Sequence, residues 1–202
     1  QGDWSSDVCS SDLDCAMQQK ILSRSVIGAG KFLVLKDLSF QDDRGRLRHW
    51  EAVDRDGEAS AVFIIARIVP DDEILFVRQF RPPTGRLMLE FPAGLIDPGE
   101  TPAETAVREL YEETGYHGKV LSVSLPGYSS PGLTGEAISL VTMEVDGDAP
   151  RNRNATPHPE DSECIECFRV SRTHLAEFVK RQESEGVGID SKIYTMIVAL
   201  QL

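Results

Sequence analysis

An α/β/α sandwich built on a mixed β-sheet is the fold class that this sequence predicts. Three observations carry it. Segments of β character occupy most of residues 31–91, one strongly capped helix follows at 102–114, and two helical segments close the chain after further strands. A strand-rich chain with one inserted helix and two terminal helices packs most simply as helices on both faces of a sheet. The 202 residues suffice for one domain with a proper core.

In order, residues 1–20 repeat Ser-Ser-Asp (Ser5-Ser6-Asp7, Ser10-Ser11-Asp12) and show no helical or strand period. Disorder is expected there. The run Asp3 to Leu13 reads as translated adapter sequence rather than native protein. From Lys31 the pattern becomes β: Phe32 to Phe40 is a strand, Asp42-Asp43-Arg44-Gly45 a turn, and Leu47 to Val53 the hairpin partner. Asp56-Gly57 marks another turn. The nearly continuous apolar run Ala61 to Val69 suits a strand buried on both faces. Strands are expected at Ile74 to Gln79, Leu87 to Phe91, Lys119 to Leu125, Ala137 to Val145 and Cys164 to Val170, and helices at Thr173 to Glu185 and Asp190 to Leu200. Pro82-Pro83-Thr84-Gly85, residues 126–135 and residues 146–163 read as loops. The resulting division is a disordered, non-native 1–20, N-terminal strands at 21–60, and the main domain at 61–202.

The helix at 102–114 has local signals at both ends. Thr101 caps, Pro102 suits the first helical position, Glu104 closes a capping box, and Gly115 supplies the left-handed stop. At about 100° per residue, Ala103, Ala106, Val107, Leu110 and Thr114 share an arc expected to face the core. Glu109, Glu112 and Glu113 fall on a neighbouring arc, where like charges repel. An acidic solvated face is one reading; a site for hard divalent cations, which prefer several oxygen ligands, is the other. The acids lie beside the apolar arc rather than opposite it, which favours the cation site.

The net charge of −12 argues against nucleic acid or an anionic membrane as partner, since both require clustered Lys and Arg. No apolar run reaches the roughly 18 residues of a membrane span, and no secretory signal is visible, so a cytoplasmic or nuclear location is expected. Cys164-Ile-Glu-Cys167 is a lone CxxC and reads as two small strand residues. The four histidines form no pair at metal-ligand spacing, and the sequon Asn154-Ala155-Thr156 reads as chance.

Gly94, five residues, Glu100, seven residues, then Arg108-Glu109-Leu110-Tyr111-Glu112-Glu113-Thr114-Gly115-Tyr116 resembles the Nudix box at every fixed position. Tyr116 stands where a bulky aliphatic is usual. Glu90-Phe91-Pro92-Ala93-Gly94-Leu95-Ile96-Asp97 and Gln79-Phe80-Arg81-Pro82-Pro83 extend the likeness toward eukaryotic ADP-sugar pyrophosphatases, from about Gly30 onward.

The resemblance implies a Nudix α/β/α sandwich whose N-terminal hairpin region exchanges between the subunits of a homodimer. It implies Mg²⁺-dependent hydrolysis of the diphosphate of ADP-ribose and related ADP-sugars to AMP and sugar phosphate, with Mn²⁺ as an alternative metal and about two to three ions per site. Glu109, Glu112, Glu113, Glu163 and the backbone carbonyl of Ala93 become the metal ligands. Glu163 becomes the general base, with Glu112 and Glu166 as rivals, because geometry must decide a base. Arg108 is expected to hold the glutamates in place. Trp50 is expected to stack on adenine, with a buried core Trp as the other reading. Phe32, which stands where close relatives carry a second Trp, Glu51, Arg55, Arg81, the backbone of Leu95 and Ser130 complete the substrate contacts; Phe32, Trp50 and Glu51 are the residues borrowed from the partner. Pro131 lies sixteen residues after Gly115, as in ADP-ribose-directed members, whereas Ser130 replaces an Asp. Other nucleoside diphosphate substrates (ADP-glucose, 8-oxo-dGDP, a dinucleotide) and a non-catalytic ADP-ribose-binding module remain the competing readings.

Overall fold

The computed structural model describes residues 19–55, 60–159 and 164–201. Glu163, the turn Asp56-Gly57 and the Ser-Asp-rich start lie outside the described residues. The chain divides into two compact units. One runs to Ala59 and takes in Tyr128–Glu136; the other comprises Ser60–Gly127 and Ala137–Leu202.

The first unit holds an antiparallel sheet of β1 (Lys20–Ala29), β2 (Leu33–Gln41) and β3 (Leu47–Arg55), in that order. Asp42 builds the hairpin turn, accepting hydrogen bonds from the backbone of Arg44 and Arg46 and from both Arg46 and Arg48 Nε. The loop 128–136 is fastened to β3. Val53 N donates to Leu133 O, Gly135 N donates to Asp54 Oδ1, and Arg55 Nε donates to Glu136 Oε1. β1 falls within the N-terminal strand region 21–60 but ahead of Lys31, where the β pattern becomes visible. Register shifts between Ile21 and Ser23 and between Val26 and Gly28 break its alternation.

In the second unit the elements follow as β4 (Ser60–Val69), β5 (Glu73–Arg81), β6 (Arg86–Glu90), β7 (Ala93–Leu95), α1 (Pro102–Thr114), β8 (Lys119–Val123), β9 (Gly127–Tyr128), β10 (Ala137–Asp146), β11 (Glu166–Ser171), α2 (Leu175–Ser184), β12 (Gly188–Ile189) and α3 (Ser191–Ala199). Single 3₁₀ turns occupy Pro150–Asn152 and Arg172–His174. The main sheet runs β12-β6-β5-β4-β10-β8, with β11 added to β5 and β7 to β4. It is mixed: β4 and β10 are parallel along their whole length, and most other pairs are antiparallel.

The apolar run of β4 is covered on both faces. Val62, Ile64, Ala66 and Ile68 pack with Ala106 and Leu110 of α1, while Phe63 and Ile65 pack with Phe178 of α2 and Ile193 of α3. Helices on both sides of a mixed sheet make the α/β/α sandwich.

The edge of β4 opposite β10 forks. Ala61–Phe63 pairs with β7, whereas Arg67 and Ile68 pair with β5. The chain leaves β6 on β5, crosses the fork at Phe91-Pro92, where Ile64 N donates to Pro92 O at 2.8 Å, and joins β4 as β7. This crossing delivers Ala93 and Gly94 to α1.

The capping box on α1 and its left-handed Gly115 are present. The buried arc is rotated from the expected one. Val107 is 43% exposed, whereas Thr105, Ala106, Leu110, Glu113 and Thr114 are buried. The rotation follows from packing: the helix covers β7 as well as β4, so its buried arc centres near Ala106 and Glu113 and carries the acids inward.

Candidate active site

Gly94 is where β7 comes closest to α1. A Cβ there would overlap the Glu109 carboxylate, so only glycine permits the contact. One residue earlier, Ala93 N donates to Glu113 Oε2 at 3.0 Å. Glu113 is only 4% exposed. Two acids one helical turn apart are thus applied to consecutive residues of the chain crossing the fork.

Arg108 organises the acids around them. Its Nε and Nη2 reach Glu100 Oε1 and Oε2 at 3.0 and 2.9 Å. Its Nη1 reaches Glu109 Oε1 at 2.7 Å and Glu112 Oε2 at 3.1 Å, and Nη2 also donates to the carbonyl of Leu95. Glu100 additionally accepts from Thr105 Oγ1. Hydrogen bonds from Arg108, then from Thr105, hold the Glu100 carboxyl down to about 2. The same carboxylates push Arg108 above its ordinary value. Arg108 therefore stays charged and is committed to the acids.

The back of α1 is anchored by residues 152–158. His158 N donates to Glu112 O at 2.6 Å, and Tyr111 stacks between His117 and His158, with ring centroids 4.7 and 4.9 Å apart. Gly115, at φ 75°, has no room for a side chain against the backbone of Thr156. Two histidines that form no metal pair thus steady the helix by stacking. The far side of the site is β11, where burial and then the charge of Glu113 push the Cys167 thiol up to about 12. Cys164 is exposed.

The donors of this cluster are carboxylates and a backbone carbonyl, the chemistry that hard divalent cations take. Two carboxylates already converge on one cationic nitrogen of Arg108. The residues fit such an ion, although among the described residues no three His, Cys, Asp or Glu are gathered as a finished cage. Glu109 and Glu112 are turned to Arg108 instead.

The remaining candidates lie elsewhere. Arg81 Nε donates to Glu90 Oε2 at 2.7 Å, on the second unit. Phe32, Trp50, Glu51, Arg55 and Ser130 belong to the first unit and are exposed. Trp50 is 52% exposed, which removes the buried-core reading, and its Nε1 donates to Gly132 O. Trp50 and Glu51 are consecutive on β3, so their side chains point to opposite faces. Trp50 pairs with Leu38, and Phe32 adjoins Leu33; five residues of β2, roughly 17 Å, separate those positions. Within one protomer, Phe32 and Trp50 therefore lie well apart along the sheet.

The NUDIX domain matches residues 57–187. The chain belongs to the Nudix family. Nudix proteins generally depend on divalent metal. Relatives include the ADP-ribose pyrophosphatase of Saccharomyces cerevisiae, 36% identical over 81% of this chain and 74% of that protein, and the ADP-sugar pyrophosphatase of Mus musculus, 33% identical over 90% and 87%. A crystal structure of an ADP compounds hydrolase superposes with a TM-score of 0.63 over 91% of this chain and 92% of that one; at 20% identity this is a likeness of fold. The membrane question is narrower: among the described residues no helix is long and apolar enough to cross a membrane. Gln79, a buried polar residue of β5 between Arg78 and Phe80, gave no signal in the sequence.

Proposed function

We propose that this Nudix protein hydrolyses the diphosphate of ADP-ribose and related ADP-sugars to AMP and sugar phosphate, with Mg²⁺ as the preferred cofactor and Mn²⁺ as a substitute, in about two to three ions per site. The observation that carries the reading is the seating of Glu109 over Gly94 and of Glu113 on Ala93, with Arg108 holding Glu100, Glu109 and Glu112. The names of the yeast and mouse relatives support the substrate class.

Glu109, Glu112, Glu113 and the Ala93 carbonyl would hold the cofactor, and Glu163 would be the further ligand. Bound divalent cations neutralise the diphosphate and acidify water. Arg108 orients the acids without touching substrate. Arg81 and Arg55 are assigned to phosphate oxygens, which planar guanidiniums suit, and the Leu95 backbone and Ser130 are assigned as further substrate contacts. Water attacks one phosphorus, the bridging P–O bond breaks, and the water's proton passes to a carboxylate. Glu163 is assigned that role, with Glu112 as its rival.

The sheet β1-β2-β3 exposes Ile21, Val26 and Trp50 on one face, which suits burial against a second copy. A homodimer in which Phe32 of one copy and Trp50 of the other serve one base satisfies their separation, with Glu51 contributing from the opposite face of β3. Purified protein with Mg²⁺ and ADP-ribose should release AMP. Release of no AMP with any divalent ion, despite tight ADP-ribose binding, favours the non-catalytic module. Ser130 and Phe32 motivate the second reading, another nucleoside diphosphate derivative, which comparison of kcat/KM across substrates decides.

A further inference from the structure

The last turn of α1 is held against its own electrostatics. Glu112 and Glu113 stand in that turn, and it contains no basic side chain. Both acids lie at the negative end of the helix dipole, where cations rather than anions are favoured. Glu113 also faces Glu109 one turn back, at a spacing where like charges repel. Arg108 offsets part of this for Glu109 and Glu112. Helix ends are where fraying begins, so something outside the helix must keep this turn closed. Residues 152–158 do so. The buried Asn152 ties them to the chain leaving α1: its Oδ1 accepts from His117 N at 2.9 Å, and its Nδ2 donates to the carbonyls of His117 and Asp146 at 3.0 and 2.8 Å. At the other end of the segment, His158 N donates to Glu112 O, one of the last carbonyls of the helix. The His117 and His158 rings then enclose Tyr111, the residue immediately before Glu112.

We propose that Tyr111, stacked between His117 and His158, is a positioning residue for the metal-binding acids: the stack keeps the last turn of α1 formed before any cation binds. This rests on the diphosphatase reading of the same site. Without the stack, the turn is formed in only a fraction of free molecules, and the apparent affinity for a divalent ion falls by that fraction. Once the site is loaded, the acids stand where they stand in wild type, and turnover is the same. A side chain that merely supports the fold would lower Tm and leave metal affinity alone.

The test compares the full-length wild type, Tyr111→Phe and Tyr111→Leu by amide hydrogen exchange in EDTA, by Mn²⁺ titration followed through the EPR signal of the free ion, and by AMP release from ADP-ribose across Mg²⁺ concentrations. Phenylalanine keeps both stacked faces and should match wild type. Leucine keeps helix propensity but offers no flat face. In Tyr111→Leu the amides at the end of α1 should exchange faster in EDTA, with those of β4 and β10 unchanged. Its Mn²⁺ dissociation constant should rise about 10- to 100-fold, the scale for losing a group that orients metal ligands. Half-saturating Mg²⁺ should rise with it, and kcat at saturating Mg²⁺ should hold. Should Tyr111→Leu fail to fold, His158→Ala removes one ring, keeps the backbone bond to Glu112, and gives the same exchange and Mn²⁺ readouts. Unchanged exchange and Mn²⁺ affinity overturn the proposal, whatever the Tm, and leave the hydrolase reading standing. A lower kcat at saturating Mg²⁺ with unaltered metal affinity also overturns it, because Tyr111 then acts on substrate or chemistry. A Tyr111→Phe as defective as Tyr111→Leu overturns the stack in favour of the hydroxyl. A wild type that binds Mn²⁺ yet releases no AMP overturns the diphosphatase reading, while exchange and Mn²⁺ affinity still decide for or against Tyr111.

Discussion

Arg108 and Glu100 meet through two parallel hydrogen bonds, Nε to Oε1 at 3.0 Å and Nη2 to Oε2 at 2.9 Å. A guanidinium fork matches a carboxylate in this way and an ammonium does not. The remaining N–H groups of Arg108 hold Glu109, Glu112 and the Leu95 carbonyl, so the fork to Glu100 sets where the other acids stand. Arg108→Lys keeps the charge and loses the fork. Activity at saturating Mg²⁺ should fall about 10- to 100-fold, the scale for losing a group that orients metal ligands. Half-saturating Mg²⁺ should rise. Lysine that restores full activity would show that charge alone suffices.

The same pair gives a pH signature. The Glu100 carboxyl is held down to about 2 from its ordinary 4.5, first by Arg108 and then by Thr105. A depressed folded value stabilises the fold above the unfolded value, and that contribution is lost as pH falls from about 4.5 toward 2. The difference in urea midpoint between wild type and Glu100→Gln should therefore be largest above pH 5 and close as the pH approaches 2. A gap that stays constant with pH denies the charged Glu100 a role.

The helix α1 was legible in the sequence to the residue, because its caps are local: Thr101, Pro102, Glu104 and Gly115 act within one turn of themselves. Its rotation was not. Whether Val107 or Glu113 points inward depends on β7, which reaches α1 only because the fork between β4 and β5 opens. The bounds of strand β1 were not legible for a different reason, its two register shifts. The sequence pattern placed the box acids together, because steps of three and four return to the same side of a helix.

Gly94→Ala tests the contact between β7 and α1. A methyl group would occupy the space of the Glu109 carboxylate. The Glu109 side chain would have to swing aside, so activity should fall while thermal unfolding shifts little. An alanine variant with wild-type Tm and activity would mean that Glu109 stands elsewhere in solution.

Glu113→Gln separates stability from chemistry. Glu113 is buried one helical turn from Glu109, and neutralising it relieves like-charge repulsion while keeping its shape and its acceptor for Ala93 N–H. Tm should hold or rise. AMP release should drop about 10²- to 10³-fold, the scale for removing one electrostatic stabiliser of a transition state, and Mg²⁺ affinity should fall. Full activity with the amide would remove Glu113 from the site.

The separation of Phe32 from Trp50 makes a sharper demand on assembly. If one base is gripped by Phe32 of one copy and Trp50 of the other, Phe32→Ala and Trp50→Ala are each defective at both sites of a homodimer. Unfolded together and refolded, half of the dimers pair one variant with the other. Each mixed dimer carries one site with both aromatics intact and one with neither. Activity should then recover to about a quarter of wild type, the statistical fraction for a two-fold assembly with shared sites. Sedimentation should report a dimer throughout. No recovery above the separate variants, with dimers present, would place both aromatics in the site of a single copy and require β2 to bend, because its register keeps the two positions apart.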